Sequence, residues 1–483
     1  MSWNAGWGMS RKSQLFLLSL FFTAQVCTAA ATNGIETLLK DPAVKNTSVA
    51  IVIHDLDTGE NLYEQNPKQI FVPASNMKLV TAAAAILKLG HSWRFRTEIL
   101  IDNFDPKTGT AGNLYIRGRG DPTLSGDFYP SNREAIDTLT GEIVIHGVRT
   151  IKGNIILDDT YFPSEGYPHG WGSDDTQYCY APRTGALAAA ANCLRLTVYA
   201  QKGGKGVTVE FDPPLDGAAV KLGVRRVWRG RSGISISETS DGKFIISGRI
   251  RSGYSAEAEH PVRNPALFFG RVLEASLKRA GIAFHGKLVQ AASSGGNRGN
   301  FAEVFQFNSP DIMEILKEME HESDNFVAEQ LIRTTGAESS REGTTAAGTN
   351  ETMKILQRYQ LATPQNLMMY DGSGLSRSNR LTPQVLMNIL RTFYNSQQRE
   401  NFMTALAAPG EPGTMEKRLT GTSAEGRLRA KTGALRGACA LSGYYRRLNN
   451  HTAAFVMIFN GYTVHSNYIR ELQDKIVKIM MEM

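Results

Sequence analysis

The sequence predicts an α+β chain in which a helix-rich domain is cut in two by a strand-rich insertion. Three observations carry this reading. Apolar residues recur at helical spacing near 75–89 and again, from Asp311 onward, in 311–334, 344–360 and 382–396. Between about Arg94 and Gly299, short strand-like runs alternate instead with Gly, Pro and Asp turns. The chain then closes on two strands and an amphipathic helix, so the helical parts flanking the insertion must meet to complete one domain.

Taken in order, the first element is a leader. Arg11 and Lys12 precede an apolar run from Leu15 to Phe22, and Ala29, Ala30 and Ala31 supply small residues for cleavage just before Thr32. This reads as a signal peptide over 1–31, too short for a transmembrane helix, and it places the mature protein in the periplasm. Ala24-Gln25-Val26 ahead of Cys27 lacks the small residue that a lipid-modified cysteine needs before it. A helix to about Leu39 follows, then a strand from Val49 to His54 and a turn at Asp57-Thr58-Gly59. The next helix, Ser75 to Leu89, is rich in alanine and ends at Gly90. Inside the insertion, strand-like runs such as Leu114–Arg117, Gly153–Leu157 and Val207–Phe211 are interrupted by one helix, from about Pro265 to Ala280. The closing strands are Gly437–Tyr445 and Ala453–Asn460, and the last helix carries Ile469, Leu472, Ile476 and Met480 on one stripe. That stripe leaves at most a weak membrane-surface association. A narrow apolar face directly after paired strands argues for core packing.

Composition narrows the class. The 483 residues are 42% hydrophobic and 9% aromatic, which fits packed cores and two or three domains rather than a disordered chain. A formal net charge of +7 is mild over this length and does not call for nucleic acid. The basic stretch Lys221, Arg225, Arg226, Arg229 and Arg231 reads as a solvated face or a contact with an anionic envelope polymer. No CxxC, HExxH or Cys/His cluster occurs, so neither a metal nor another cofactor is expected. Cleavage removes Cys27, an oxidising compartment would permit Cys179 and Cys193 to pair, and Cys439 is left inside an apolar strand as core filler. The Asn46-Thr47-Ser48 sequon reads as accidental.

Three short motifs carry chemistry. Ser75 and Lys78 in Ser75-Asn76-Met77-Lys78 share one helix face, so the amine can reach the hydroxyl. Ser75 also stands at the helix start, where unpaired N–H groups favour a developing anion. A lysine whose pKa is depressed by burial or by a second cation can take the hydroxyl's proton. Ser323-Asp324-Asn325 opens an apolar-periodic helix; Ser323 either caps that helix or relays a proton, with the Asn325 amide holding a substrate carbonyl. In Lys431-Thr432-Gly433-Ala434, the glycine leaves a strand edge along which a peptide can lie, with a lysine and a threonine beside it for a carboxylate. Decoys of the same spacing exist: Ser240-Asp241-Gly242-Lys243 sits on a hairpin turn, and Lys107-Thr108-Gly109 follows Asp105-Pro106 in another.

The order SxxK, SxN, KTG, with 248 positions between Ser75 and Ser323, resembles the active-site serine penicillin-recognising enzymes. Within them it is most similar to the class C low-molecular-mass penicillin-binding proteins, the D-alanyl-D-alanine carboxypeptidase/endopeptidases, which carry a large insertion between the first two motifs. Asp371-Gly372-Ser373-Gly374-Leu375-Ser376-Arg377 resembles that family's DGSGLSR stretch, although its glycines also suit a turn. Gly170-Trp171-Gly172 with Asp175, Cys179, Ala181-Pro182 and Cys193 resembles its inserted domain, disulfide included.

The resemblance implies a DD-peptidase/β-lactamase-like fold, helices packed on an antiparallel sheet. Residues 32–98 and 300–483 would form the discontinuous catalytic domain, and 99–299 a β-rich insertion, read as two subdomains. It further implies that Ser75 is the acylating nucleophile and Lys78 its base. Lys431 would help keep Lys78 neutral and, with Thr432, bind the terminal D-alanine carboxylate. The backbone N–H groups of Ser75 and Ala434 would form the oxyanion hole, Ser323 would pass the proton to the leaving amine, and Asn325 would orient substrate. Asp175 and Arg377 match positions that grip a diaminopimelate side chain, so cross-links are implied as substrates beside D-Ala-D-Ala. Ala434 departs from the threonine or serine of many members, which removes a side-chain hydrogen bond. β-Lactams are the implied inhibitors. A serine β-lactamase and a non-catalytic peptidoglycan-binding protein stand as the alternatives.

Overall fold

The computed structural model describes residues 31–202, 206–291 and 301–483. The expected leader, Cys27 and the far end of the inserted stretch at 299/300 lie outside the described residues. By packing, the chain divides into two compact units: everything up to Asn76 together with Arg380–Met483, and Met77–Asn379. The strand-rich stretch 99–299 falls inside the second.

In the first unit an antiparallel sheet runs in the order Leu428–Leu435, Ala438–Arg446, Thr452–Asn460, Ser48–Asp55, Asn61–Gln65. The two most apolar strands, Ser48–Asp55 and Thr452–Asn460, lie side by side and are buried almost end to end. One face is covered by the helix over 31–39 and by helix Ser466–Met480, whose Ile469, Leu472, Ile476 and Met480 share a core cluster with Ile51, Phe455 and Met457. The apolar stripe therefore packs the core, at about 2 kcal/mol per side chain relative to exposure. Among the described residues no helix is long and apolar enough to cross a membrane. Only two closing strands were expected. The third, Leu428–Leu435, is short of apolar residues because it is the sheet's edge, with Ala430 making one further bridge to Ala407.

In the second unit, helix Met77–Leu89 packs on helices Asn325–Ser340, Thr345–Arg358 and Ile312–His321. The segment 311–334 is two helices, the second opening after Ser323 as the sequence suggested, and Ser323 itself has a φ of +62°. Asp324, not Ser323, caps the second helix: its carboxylate accepts from the Val327 amide at 2.9 Å. A mixed five-stranded sheet has the order Leu288–Gln290, Ile155–Asp158, Leu114–Arg117, Arg96–Asp102, Phe301–Asn308. The insertion holds two helices where one was expected. Besides Pro265–Arg279 there is Asn132–Ile145, which packs on it through buried Ala135, Ile136, Leu139 and Ile143. Its threonines and glycine weaken the helical pattern, while a Ser131 cap on the Glu134 amide starts it. Both decoy motifs are turns: Thr239 closes on Lys243 between two antiparallel strands, and Asp105 bridges Thr110 across Lys107-Thr108-Gly109. Cys179 and Cys193 form a disulfide, and Cys439 is a buried free thiol.

Candidate active site

Within the first unit, Ser75 lies beside the KTG strand. Ala74, at φ +49°, bends the chain into the single turn Ala74–Asn76, which runs on directly into helix Met77–Leu89. A non-glycine residue holds such a φ only where its surroundings fix it. Here the Val72 amide donates to Asn460 Oδ1 at 2.7 Å, and Asn76 Nδ2 donates to the Lys431 carbonyl at 3.2 Å. The strand meets this turn at Gly433. A Cβ there would lie 3.1 Å from the Ser75 nitrogen, 3.1 Å from the Pro73 carbonyl and 3.0 Å from Asn76 Nδ2. Glycine lets the strand approach the Ser75 amide without crowding it. Lys431 is fully buried, Thr432 half-buried, and Ala434 exposed on the sheet edge.

Within the second unit, the lysine and the SxN asparagine lie together. Lys78 is fully buried, and its Nζ donates to Asn325 Oδ1 at 2.6 Å and to the Ser373 carbonyl at 2.8 Å. Burial pushes this amine down to about 8, against the opposing pull of Glu320, Asp324, Asp371 and Glu329. Asn325 opens its helix and donates from Nδ2 to the Tyr180 carbonyl at 2.8 Å, next to the disulfide. Ser323 is half-buried in the left-handed break before it.

The loop carrying Ser373 is held by two buried carboxylates. Glu329 Oε1 accepts from the amides of Gly372 and Ser373 at 3.0 and 2.7 Å. Asp371 accepts from the Gly374 amide at 2.9 Å, from Asn379 Nδ2 at 2.6 Å and from the Trp171 indole at 2.8 Å. Burial, reinforced by the charge of Asp371, pushes the Glu329 carboxyl up to about 8. Asp175 accepts from the Tyr180 hydroxyl at 2.7 Å and the Gly172 amide at 3.2 Å, while Arg377 is exposed on the loop that meets Gly170. Sequence reasoning missed Asn76, which ties the SxxK turn to the KTG strand, and Glu329, whose only signal is an acid on an otherwise apolar helix face. It quoted Ser373 without giving it a role, since a backbone carbonyl leaves no trace in residue type.

Two groups among the described residues have metal-like spacing. Asp55, Asp57 and His451 form one, but Asp55 is shared by Arg447 and His451, and Asp57 is taken up by the Tyr394 hydroxyl and the Thr452 amide. The other is the disulfide with Glu259.

A family model, the D-Ala-D-Ala carboxypeptidase 3 (S13) family, matches residues 31–483. The chain belongs to this family. As a member of S13 it is a serine-type D-Ala-D-Ala carboxypeptidase with the penicillin-binding α+β fold. It is 32% identical over 454 residues to the D-alanyl-D-alanine carboxypeptidase of Actinomadura sp. (strain R39), covering 89% of this chain and 80% of that protein. Its fold is similar to that of penicillin binding protein 4 (dacB) from Haemophilus influenzae, with a TM-score of 0.74 at 23% identity, covering 92% and 98% of the two chains. Bd3459, a predatory peptidoglycan endopeptidase from Bdellovibrio bacteriovorus, has a TM-score of 0.53 at 15% identity over 89% and 91%.

Proposed function

We propose that this carboxypeptidase works through an acyl-enzyme on Ser75 and cleaves peptidoglycan stem peptides at D-Ala-D-Ala, and also D-alanyl–diaminopimelyl cross-links. The observation that carries the reading is the seating of Lys78: a buried amine, lowered to about 8, gripped by the SxN asparagine from 247 positions away. A base poised near neutral pH is what a serine hydroxyl needs. Lys78 takes the Ser75 proton as Oγ attacks the penultimate D-alanine carbonyl. The amides of Ser75 and Ala434 receive the oxyanion, roughly 3–4 kcal/mol per donor in comparable sites. Ser323 passes the proton to the departing D-alanine nitrogen as the C–N bond breaks, and water then hydrolyses the ester. Lys431 and Thr432 bind the terminal carboxylate, with Asn325 orienting the peptide along Gly433. Asp175 and Arg377 grip the diaminopimelate side chain in cross-links. The catalytic domain in this reading comprises 32–98 and 300–483, with 99–299 inserted, and the enzyme works in the periplasm. The Haemophilus relative is also known as a β-lactam complex, and the same serine chemistry makes β-lactams acylating inhibitors here.

The test is intact mass after incubation with benzylpenicillin. Wild type gains one stable adduct and Ser75→Ala gains none. An unmodified wild type, or an adduct on the variant, overturns the assignment. Rapid nitrocefin turnover would mark a β-lactamase instead. Digestion of purified sacculi reads the cross-link activity directly as loss of dimeric muropeptides.

A further inference from the structure

The basic stretch noted in the sequence is not absorbed by this chemistry, and its placement in the second unit is specific. Strands Val220–Val227, Phe244–Arg251 and Gly233–Glu238 form one sheet in that order. Phe244, Ile246 and Ile250 point into the core, so the alternate residues form the outer face. That face presents Lys221, Arg225, Arg249 and Arg251, all exposed, with Ser235, Ser237 and Ser247 between them. Arg225 is paired directly with Arg249 across the two strands. Like charges held side by side on paired strands repel one another. Residues 217–237 hold five cations and no acid, and 244–256 hold two more and again no acid. Among the described residues none of these seven makes an ion pair. Two exposed rings lie at the strand ends: Tyr254, 53% exposed, with the outer-face Arg251 over it at 4.8 Å, and Trp228, 72% exposed, with Arg226 over it at 4.4 Å, a residue that the alternation puts on the other face.

We propose that this outer sheet face is a docking surface for peptidoglycan, distinct from the catalytic residues. It would take the polymer's free stem-peptide carboxylates on its guanidinium groups, and its sugars against the rings and serine hydroxyls. Charge complementarity selects an anionic partner, because an unpaired cross-strand arginine pair is stabilised only when an anion sits between the two. The rings select a glycan over a lipid surface. Each ring has a guanidinium over it, 4.4 and 4.8 Å from the ring centroids, and Leu222 is the only exposed aliphatic residue on these strands. A polymer held here stays beside the enzyme between successive cuts.

The proposal rests on peptidoglycan being the substrate, and the experiment separates the two claims. The full-length chain and the variant Arg225→Ser/Arg249→Ser/Arg251→Ser are sedimented with purified sacculi and, separately, with phosphatidylglycerol vesicles, while benzylpenicillin labelling is recorded in parallel. The triple variant is expected to bind sacculi roughly tenfold more weakly, from three exposed charge contacts of modest individual strength. Its labelling and melting temperature should be undiminished, because a like-charge pair has been removed. Sacculus binding should also fall with added salt. Equal sedimentation of variant and wild type overturns the docking surface. So does patch-dependent binding to vesicles without binding to sacculi, which would mark a lipid surface. Failure of wild type to label with benzylpenicillin overturns the serine mechanism instead, and leaves the sedimentation result to be read for itself. Should the triple variant melt early, Trp228→Ser/Tyr254→Ser is read in the same assay, with reduced sacculus binding expected and unchanged binding counting against the proposal.

Discussion

At the level of single residues, the seating of Lys78 makes the reaction pH-dependent. With the amine near 8 in the folded protein, roughly a tenth of molecules hold it neutral at pH 7. The acylation rate by benzylpenicillin should therefore climb from pH 6 to 8 and level off above; a flat profile across that range would contradict Lys78 as the base. Glu329 offers a second measurement. Pushed up to about 8, it is mostly protonated at neutral pH, and its role is to accept from two loop amides. Glu329→Gln keeps an acceptor oxygen and should acylate at nearly the wild-type rate. Glu329→Ala strands both amides, loosens the Ser373 carbonyl under Lys78 and should slow acylation by roughly tenfold. Stopped-flow acylation of the two variants, with melting curves to separate unfolding, distinguishes these outcomes. Motif order alone singled out Ser75, Lys78, Ser323, Asn325 and the KTG strand as candidates. For the lysine, the sequence left burial and a second cation open as causes of a lowered pKa, and the packed structure puts burial first.

Secondary-structure elements were legible where apolar spacing is strong and obscure where a cap or an edge decides. Ser48–Asp55, Met77–Leu89 and Ser466–Met480 appear nearly as read, because each has a continuous or strictly periodic apolar pattern. Helix Asn132–Ile145 escaped because its pattern is diluted and only its capping box announces it. The helix start after Ser323 was legible from its capping residues, but the left-handed φ of Ser323 was not, because it has no compositional mark. The edge strand Leu428–Leu435 yields a sharp test of close approach. Gly433→Ala puts a methyl 3.0–3.1 Å from the Ser75 amide nitrogen, the Pro73 carbonyl and Asn76 Nδ2, tighter than ordinary contact, and these neighbours are mostly backbone. Overpacking of this kind costs roughly 1–3 kcal/mol, so the variant should melt lower and label with benzylpenicillin at least tenfold more slowly. Normal labelling would mean that the strand can retreat without consequence.

On the scale of the whole molecule, the strand-rich stretch was visible as a change of texture, but its internal division was not, since several small sheets share one continuous core. The disulfide fastens part of it, closing a loop with a sequence separation of 14. Its loss through Cys179→Ser/Cys193→Ser should cost about 3 kcal/mol, read as a lower denaturant midpoint. Because the Tyr180 carbonyl that holds Asn325 adjoins the bridge, acylation should slow as well; an unchanged midpoint and rate would show that the bridge constrains nothing. The pairing of Ser48–Asp55 with Thr452–Asn460 has a different consequence, one of timing. Ser48–Asp55 is made about four hundred residues before the neighbour that covers one of its edges. Until that neighbour is made the pairing cannot form, and one edge of the strand stays open to other partners.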